Sequence, residues 1–280
     1  MTGPDHDDAV VDDPDHALRA VDGTVAGLLG LGYPEDDPEA PMRMELAPTV
    51  LDDHGDVSLG ALGVLVDLAS TRALRPRPHG RAPHAEISVH RLQVPQGRYV
   101  HAITRDVRAG TRTGVLEIDV VDDNGRLVAY SSQEIAFIGV IPGGPPPAPR
   151  RMWWPARPVA LDRPLYDLLG LRRDGEGTWQ MELAPTHMNT AGALHGGASI
   201  ALVDVAARSA VEDTGATSGP CRTAGAQVRY LVPGRVGPFL ARTRVLGAVG
   251  NGFGVRVEVV DPGRDGRAVM LATATVVPAA

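Results

Sequence analysis

The feature that most constrains this chain is that one segment occurs in it twice. MELAPT at Met44 aligns with MELAPT at Met181 at an offset of 137, and about 14 of the 31 positions counted from those methionines are identical without a gap. LLGL lies upstream of each copy, at 28–31 and 168–171. A β-rich tail lies downstream, LEIDVVDDNGRLVAYSSQEIAFI at 116–138 and VRVEVVDPGRDGRAVMLATATVV at 255–277. Both tails read as strand, turn, strand, because β-branched runs flank Asp, Asn, Gly and Pro. The repeated unit is therefore short helix, strand, long helix, then three or four strands. A chain of 280 residues accommodates two such units of about 140 residues, each large enough for its own core.

Composition sets the boundaries. Residues 1–16, rich in Asp, Pro and His, cannot bury enough apolar surface to fold alone and read as a disordered acidic tail; their irregularly spaced histidines do not make a metal set. PGGPPPAPRRMWWPARP at 142–158 reads as a stiff linker, with Trp153 and Trp154 covering a domain surface. That leaves an N-terminal domain at 17–141 and a C-terminal domain at 159–280. The net charge of -7, with 27 Lys and Arg scattered along the chain, argues against a nucleic-acid partner. The one cysteine, Cys221, excludes an internal disulfide and a cysteine-based zinc site, and reads as a small buried hydrophobe. The acidic N-terminus lacks a signal-peptide pattern, and no run of about 18 apolar residues follows, so the expectation is a cytoplasmic protein with no membrane partner.

The long helix of the second copy is the most apolar element. From Ala193 to about Val211, Leu194, Ala198, Ala201, Leu202, Val205, Ala206 and Ser209 recur at three and four spacing, with almost no charge in the first half. Such a helix must be enclosed, and an antiparallel sheet curled around it is the natural enclosure, which makes the fold class α+β. Its entrance carries His195, Gly196 and Gly197. Glycine costs roughly 1 kcal/mol inside a helix, so the pair needs a reason. One reason is close packing. The other is chemical: first-turn NH groups have no internal acceptor and, with the helix dipole, can hold a developing oxyanion. Asn189, in the preceding loop, could orient a carbonyl or a water.

The same helix carries a carboxylate, Asp204, roughly 13 Å along the axis from His195, too far to act at its own entrance. The duplication supplies a second helix, ending on Asp67 in the first copy. If the two helices lie side by side about a pseudo-twofold axis, two composite sites result. One joins Asn189, His195, Gly196 and Gly197 to Asp67. The other joins Asp204 to Asp52, Ser58, Leu59 and Gly60, where the entrance motif is eroded.

The pattern N-x-x-G-x-L-H-G-G, then an apolar helix and Asp, from Asn189 to Asp204, resembles the hotdog-fold thioesterases of the PaaI type. The resemblance covers about 163–279 and, more weakly, about 20–140. It implies two tandem hotdog domains, each a curled antiparallel sheet wrapped around a long apolar helix, and hydrolysis of acyl-CoA thioesters with CoA as part of the substrate and no separate cofactor or metal. In that family the entrance NH polarises the thioester carbonyl, the Asn and His shape the pocket, and the partner unit's Asp is nucleophile or general base. A Ser or Thr on the next strand often assists. Thr223 matches that position in the second copy, whereas the first offers His84 or Ala85.

Two other readings compete with hydrolysis. A hotdog hydratase or dehydratase would use His with Asp or Glu placed otherwise, and no such pair is evident. A non-catalytic acyl-CoA-binding or scaffold protein would result if both sites had decayed, and structural roles for Asp67 and Asp204 remain open. Association of double units into a homo-oligomer is a further open expectation. GNGFG at 250–254 reads as a β-turn, since it opens a strand and not a helix. RALRPRPHGR at 72–81 reads as a solvated basic loop, with contact to CoA phosphates as the alternative.

Overall fold

The computed structural model describes residues 23–37, 40–73, 82–138, 155–157, 161–189 and 191–279. The expected tail at 1–16, the two linker tryptophans and the basic run from residue 74 to 81 lie outside the described residues.

The first half runs α1 (Val25–Leu28), β1 (Met42–Glu45), a 3-10 turn (Pro48–Val50), α2 (Leu59–Ala73), then β2 (His84–Arg91), β3 (Tyr99–Ala109), β4 (Thr113–Asp122) and β5 (Leu127–Ala136). The second runs α3 (Leu165–Leu168), the two-residue β6 (Arg172–Arg173), β7 (Trp179–Met181), a 3-10 turn (Pro185–His187), α4 (Gly196–Glu212), then β8 (Cys221–Tyr230), β9 (Phe239–Val249), β10 (Gly252–Asp261) and β11 (Arg267–Pro278). Apart from β6 and a 3-10 turn (Pro262–Arg264) between β10 and β11, the order of elements is the same, and four strands follow each long helix. Gly250 and Asn251 form the turn between β9 and β10, with Gly250 at φ 60°.

All strands join one 11-stranded sheet in the order β1-β3-β4-β5-β2-β8-β11-β10-β9-β7-β6. The halves meet at its centre, where β2 and β8 pair antiparallel from Glu86 opposite Arg229 to His90 opposite Gly225. Period-two patterning gives the sheet a buried face: along β4, Gly114, Leu116, Ile118, Val120 and Asp122 are buried while their neighbours are not. The two long helices pack on each other among the core residues through small side chains. A Cβ on Gly60 would lie 2.6 Å from Ala201 Cβ, one on Gly63 would lie 2.8 Å from Ile200 Cδ1, and one on Gly197 would lie 2.5 Å from the Gly63 carbonyl oxygen. Cys221 is buried and free, at the start of β8. Among the described residues no helix is long and apolar enough to cross a membrane.

Two irregularities position side chains near the helices. α4 begins at Gly196 and not at Ala193, because a bridge between Met188 and Leu194 and the bond from His195 N to His187 O (2.8 Å) keep the chain extended up to the cap. His195 is the N-cap, at φ -64° and ψ 129°. The pairing of β2 with β5 shifts between His84 and Glu86, and that of β8 with β11 shifts between Thr223 and Gly225, so Ala85 and Ala224 are the extra residues of two bulges. A bulge redirects the side chain beside it. The bulges place His84 and Thr223 in corresponding positions and resolve the choice between His84 and Ala85.

Candidate active site

At the entrance of α4 the structure brings Asp67, His195, Gly196 and Gly197 together. Asp67 Oδ2 accepts a hydrogen bond from the Gly197 backbone N–H at 2.6 Å, across 130 residues of sequence. The same oxygen lies 3.2 Å from His195 Nδ1, and Oδ1 lies 3.2 Å from His84 Nδ1. The Asp67, His195 and His84 side chains are 10%, 8% and 12% exposed, so the carboxylate is largely shielded from solvent. A carboxylate at the N-terminus of another helix compensates first-turn NH groups that have no acceptor of their own, an effect of about 1 kcal/mol.

The glycine pair divides the two reasons expected of it. Gly197 serves packing, since its Cβ would also lie 2.5 Å from Val64 Cα. Gly196 leaves room for chemistry: a Cβ there would lie 2.9 Å from Asp67 Oδ2 and 3.2 Å from the Tyr230 hydroxyl. Tyr230 donates to the Gly196 carbonyl at 2.9 Å, and Ser199 Oγ donates to the same oxygen at 2.6 Å. Burial, then the negative charge of Asp67, pushes the Tyr230 phenol far above its ordinary range, so it stays a neutral donor.

Asn189 shapes the loop leading to this entrance. Its Oδ1 accepts from the backbone N–H groups of Ala191 (2.9 Å) and Ala193 (3.2 Å), a turn that fixes the chain before His195. Asp52 makes the same turn in the first half, accepting from the N–H groups of His54 (3.0 Å) and Asp56 (3.1 Å). On the α2 side, the Asp67 carbonyl accepts from Ser70 Oγ (2.6 Å) and Thr71 Oγ1 (3.1 Å), and Ser70 Oγ lies 2.8 Å from His84 Nε2. Among the described residues no group of three or more His, Cys, Asp or Glu is arranged to hold a metal ion.

Residues 191–267, from the loop before α4 to the first residue of β11, match the family model described as Thioesterase superfamily. A search of curated proteins finds no match. Among solved structures, the TesB protein of Mycobacterium avium subspecies paratuberculosis aligns with a TM-score of 0.63 at 11% identity, covering 90% of this chain and 97% of that one. A conserved protein of Alicyclobacillus acidocaldarius with a hotdog fold aligns at 0.57 and 14% identity, covering 93% and 98%. This is a hotdog fold. An acyl-CoA thioesterase II from Mycobacterium marinum aligns at 0.56 and 12% identity, covering 91% and 97%.

The entrance of the other long helix, α2, is built differently. Ser58 supplies its own cap, its Oγ accepting from Ala61 N at 3.2 Å, so α2 needs no carboxylate from its neighbour. Gly60 packs against Ala201 and against the Tyr166 ring, whose Cε1 would lie 3.0 Å from an added Cβ. Asp204, expected to meet Ser58, Leu59 and Gly60, reaches that entrance through Tyr166, whose ring packs on Gly60 and whose hydroxyl bonds the carboxylate within a buried ionic cluster. Asp204 accepts a short hydrogen bond from the Tyr166 hydroxyl, and its Oδ1 lies 3.4 Å from Arg208 Nε, one helical turn on. Thr223 Oγ1 donates to the Asp204 carbonyl at 3.5 Å and not to its carboxylate. Burial, then the Asp204 charge, holds the Tyr166 phenol well above its ordinary range.

Asp52 belongs to the same cluster through Arg91. Arg91 Nη1 donates to Asp52 Oδ2 at 2.6 Å and to the Val57 carbonyl at 3.0 Å, while its Nε donates to the Thr223 carbonyl at 2.9 Å. Burial works to raise the Asp52 carboxyl, but the hydrogen bond and charge of Arg91, with the two turn N–H groups, outweigh it and hold the group below the usual carboxylate range. Sequence reasoning missed Tyr166, Arg91, Ser70, Tyr230 and Arg208. Only Arg208 and Ser70 carried a signal, their spacing of four and three residues from an apolar helix's lone carboxylate.

Proposed function

We propose that the chain hydrolyses acyl thioesters, acyl-CoA foremost, at the composite site where Asp67 of an N-terminal hotdog repeat (17–141) meets the α4 entrance of a C-terminal one (159–280), in the manner of a PaaI-type enzyme. The observation that carries this reading is the 2.6 Å contact from Gly197 N to Asp67 Oδ2. Thioester hydrolysis needs a donor for the negative charge that develops on the carbonyl oxygen, and a base or nucleophile beside the carbonyl carbon. Here both stand at one point. The thioesterase model matched by residues 191–267 supports the reaction class, and the Mycobacterium marinum neighbour points to acyl-CoA as substrate.

In the resting site the carboxylate itself holds the N–H. A substrate carbonyl oxygen exchanges with it, accepts from the entrance N–H groups, and releases Asp67 Oδ2. In the general-base route, water gives a proton to Asp67 while its oxygen bonds to the carbonyl carbon. The C–S bond then breaks and the proton passes to the departing sulfur, leaving a carboxylic acid and free CoA thiol. In the nucleophilic route Asp67 displaces the thiolate to form a mixed anhydride, which water then cleaves. His195 flanks the oxygen that moves in either case, and Tyr230 and Ser199 brace the Gly196 peptide.

The test is thiol release from a panel of acyl-CoAs by wild type, Asp67→Asn and Asp204→Asn. Loss with Asp67→Asn alone is the expected result. Loss with Asp204→Asn alone would sink the pairing. The occupied N–H also favours a second reading, in which Asp67 is a helix cap and the protein binds acyl-CoA without turning it over. A thermal shift with acyl-CoA in the absence of thiol release, retained in Asp67→Asn, would select it.

A further inference from the structure

We propose that His84 is a positioning residue for Asp67, with Ser70 holding the ring so that Nδ1 faces the carboxylate; this rests on the hydrolase reading above. His84 is brought to the helix side of the sheet by the bulge at Ala85, which breaks the alternation that puts Glu86, Ser88 and His90 together on the opposite face. Its Nδ1 then stands 3.2 Å from Asp67 Oδ1, and its Nε2 stands 2.8 Å from Ser70 Oγ. The corresponding Thr223 reaches only a main-chain carbonyl, at 3.5 Å. The two histidines therefore divide the carboxylate between them, with His84 at Oδ1 and His195, together with the Gly197 N–H, at Oδ2.

A ring nitrogen 3.2 Å from a carboxylate oxygen is favourable when it bears hydrogen and unfavourable when it presents a lone pair. The Ser70 hydroxyl has one proton, which it can give to the Asp67 carbonyl or to His84 Nε2. If it goes to Nε2, the neutral ring carries its hydrogen on Nδ1, facing Asp67; if it goes to the Asp67 carbonyl, Nε2 donates to Ser70 and Nδ1 bears hydrogen only in the doubly protonated ring. With Oδ1 so held, Oδ2 is the oxygen free to act once substrate takes the Gly197 N–H. Distances of this length in a resting site tighten when the substrate is bound.

Asn and Gln substitutions separate the two ends of the ring, because an Asn amide nitrogen overlays Nδ1 and a Gln amide nitrogen overlays Nε2. His84→Asn keeps a donor toward Asp67, and its kcat is expected to stay near wild type. His84→Gln keeps only the Ser70 contact, and its kcat is expected to fall about 100-fold with KM unchanged, since a misplaced reacting group costs about that much. Nitrogen-15 NMR of histidine-labelled wild type gives a readout independent of turnover: His84 is expected to carry hydrogen on Nδ1. Gln performing as well as Asn, or hydrogen on Nε2 alone, would overturn the assignment. If wild type releases no thiol from any acyl-CoA, the hydrolase reading fails, while the NMR result still decides how His84 meets Asp67.

Discussion

Gly196 and Asp67 approach so closely that a single methyl group on the glycine would lie 2.9 Å from the carboxylate oxygen. Three structural levels meet in that contact. The extended loop to His195 sets where the helix starts, the crossing of α2 over α4 sets which carboxylate arrives, and the missing Cβ leaves it space. Gly196→Ala is expected to push Asp67 off the Gly197 N–H and lower kcat/KM about 10²-fold, the scale of a displaced reacting group, while the fold survives because the carboxylate is the end of a side chain. Thiol-release kinetics beside a thermal melt check both halves of the expectation. Unchanged kinetics would remove the carboxylate's position from the mechanism.

Gly197→Ala tests the other half of the pair. The new Cβ meets backbone, the Gly63 carbonyl oxygen and Val64 Cα, each at 2.5 Å, so the helices must separate. Overpacking of this kind typically costs 1–3 kcal/mol, and backbone contact places this case at the upper end or beyond, about 3 kcal/mol. Denaturant unfolding of the two variants should rank Gly197→Ala well below Gly196→Ala. The reverse ranking would show that the helices do not cross as described.

Tyr166 and Asp204 lead to a prediction about stability and not turnover. Removing the hydroxyl leaves a buried carboxylate without its hydrogen-bond donor, though still within reach of the charges of Arg208 and Arg91, so Tyr166→Phe is expected to cost about 1–3 kcal/mol with thiol release per chain unchanged. The alkaline limb supplies the sign. Tyr166 is held protonated in the folded protein above its ordinary value, so the unfolded chain ionises first and stability falls as pH rises past about 10. The phenylalanine variant should lose less over the same range. A matching alkaline limb in both proteins would refute the assignment.

Much of this arrangement was legible before any coordinates. The repeat dictated the common element order, and the three and four spacing identified α4 as the helix to be enclosed. Helix geometry separated Asp204 from its own entrance, and the duplication, with its two helices set side by side, pointed to Asp67 instead. The illegible parts share a physical cause. Strand alternation predicts His84 on the same face as Glu86, and only an inserted residue at Ala85 reverses that, which no pattern of side chains announces. Tyr166 stands two residues before LLGL, in a segment whose first-half counterpart carries no phenol, so nothing in the repeat marked it as the partner of Asp204. Arg91 and Tyr230 occupy the same place relative to the two bulges, and that correspondence emerges only once the bulges align the strands.

The Arg91 and Asp52 pair gives the acid counterpart. Asp52 is held below its ordinary value when folded, with side-chain exposures of only 6% for Arg91 and 4% for Asp52. A depressed carboxyl contributes stability that is present above the unfolded value of about 4 and is lost as pH falls through the lower, folded one. Arg91→Gln leaves Asp52 charged and buried without its cation, a change that typically costs 3–5 kcal/mol. At neutral pH the variant is therefore expected to be less stable by about that amount. As pH falls below about 4, wild type gives up the contribution of the pair while protonation relieves the lone Asp52 of the variant, so the gap between them should narrow. Urea unfolding of both proteins from pH 7 to pH 3 measures this. A gap that stays constant or widens toward acid would mean that Arg91 supports the cluster through packing and its bonds to the Val57 and Thr223 carbonyls, and not through the charge of Asp52.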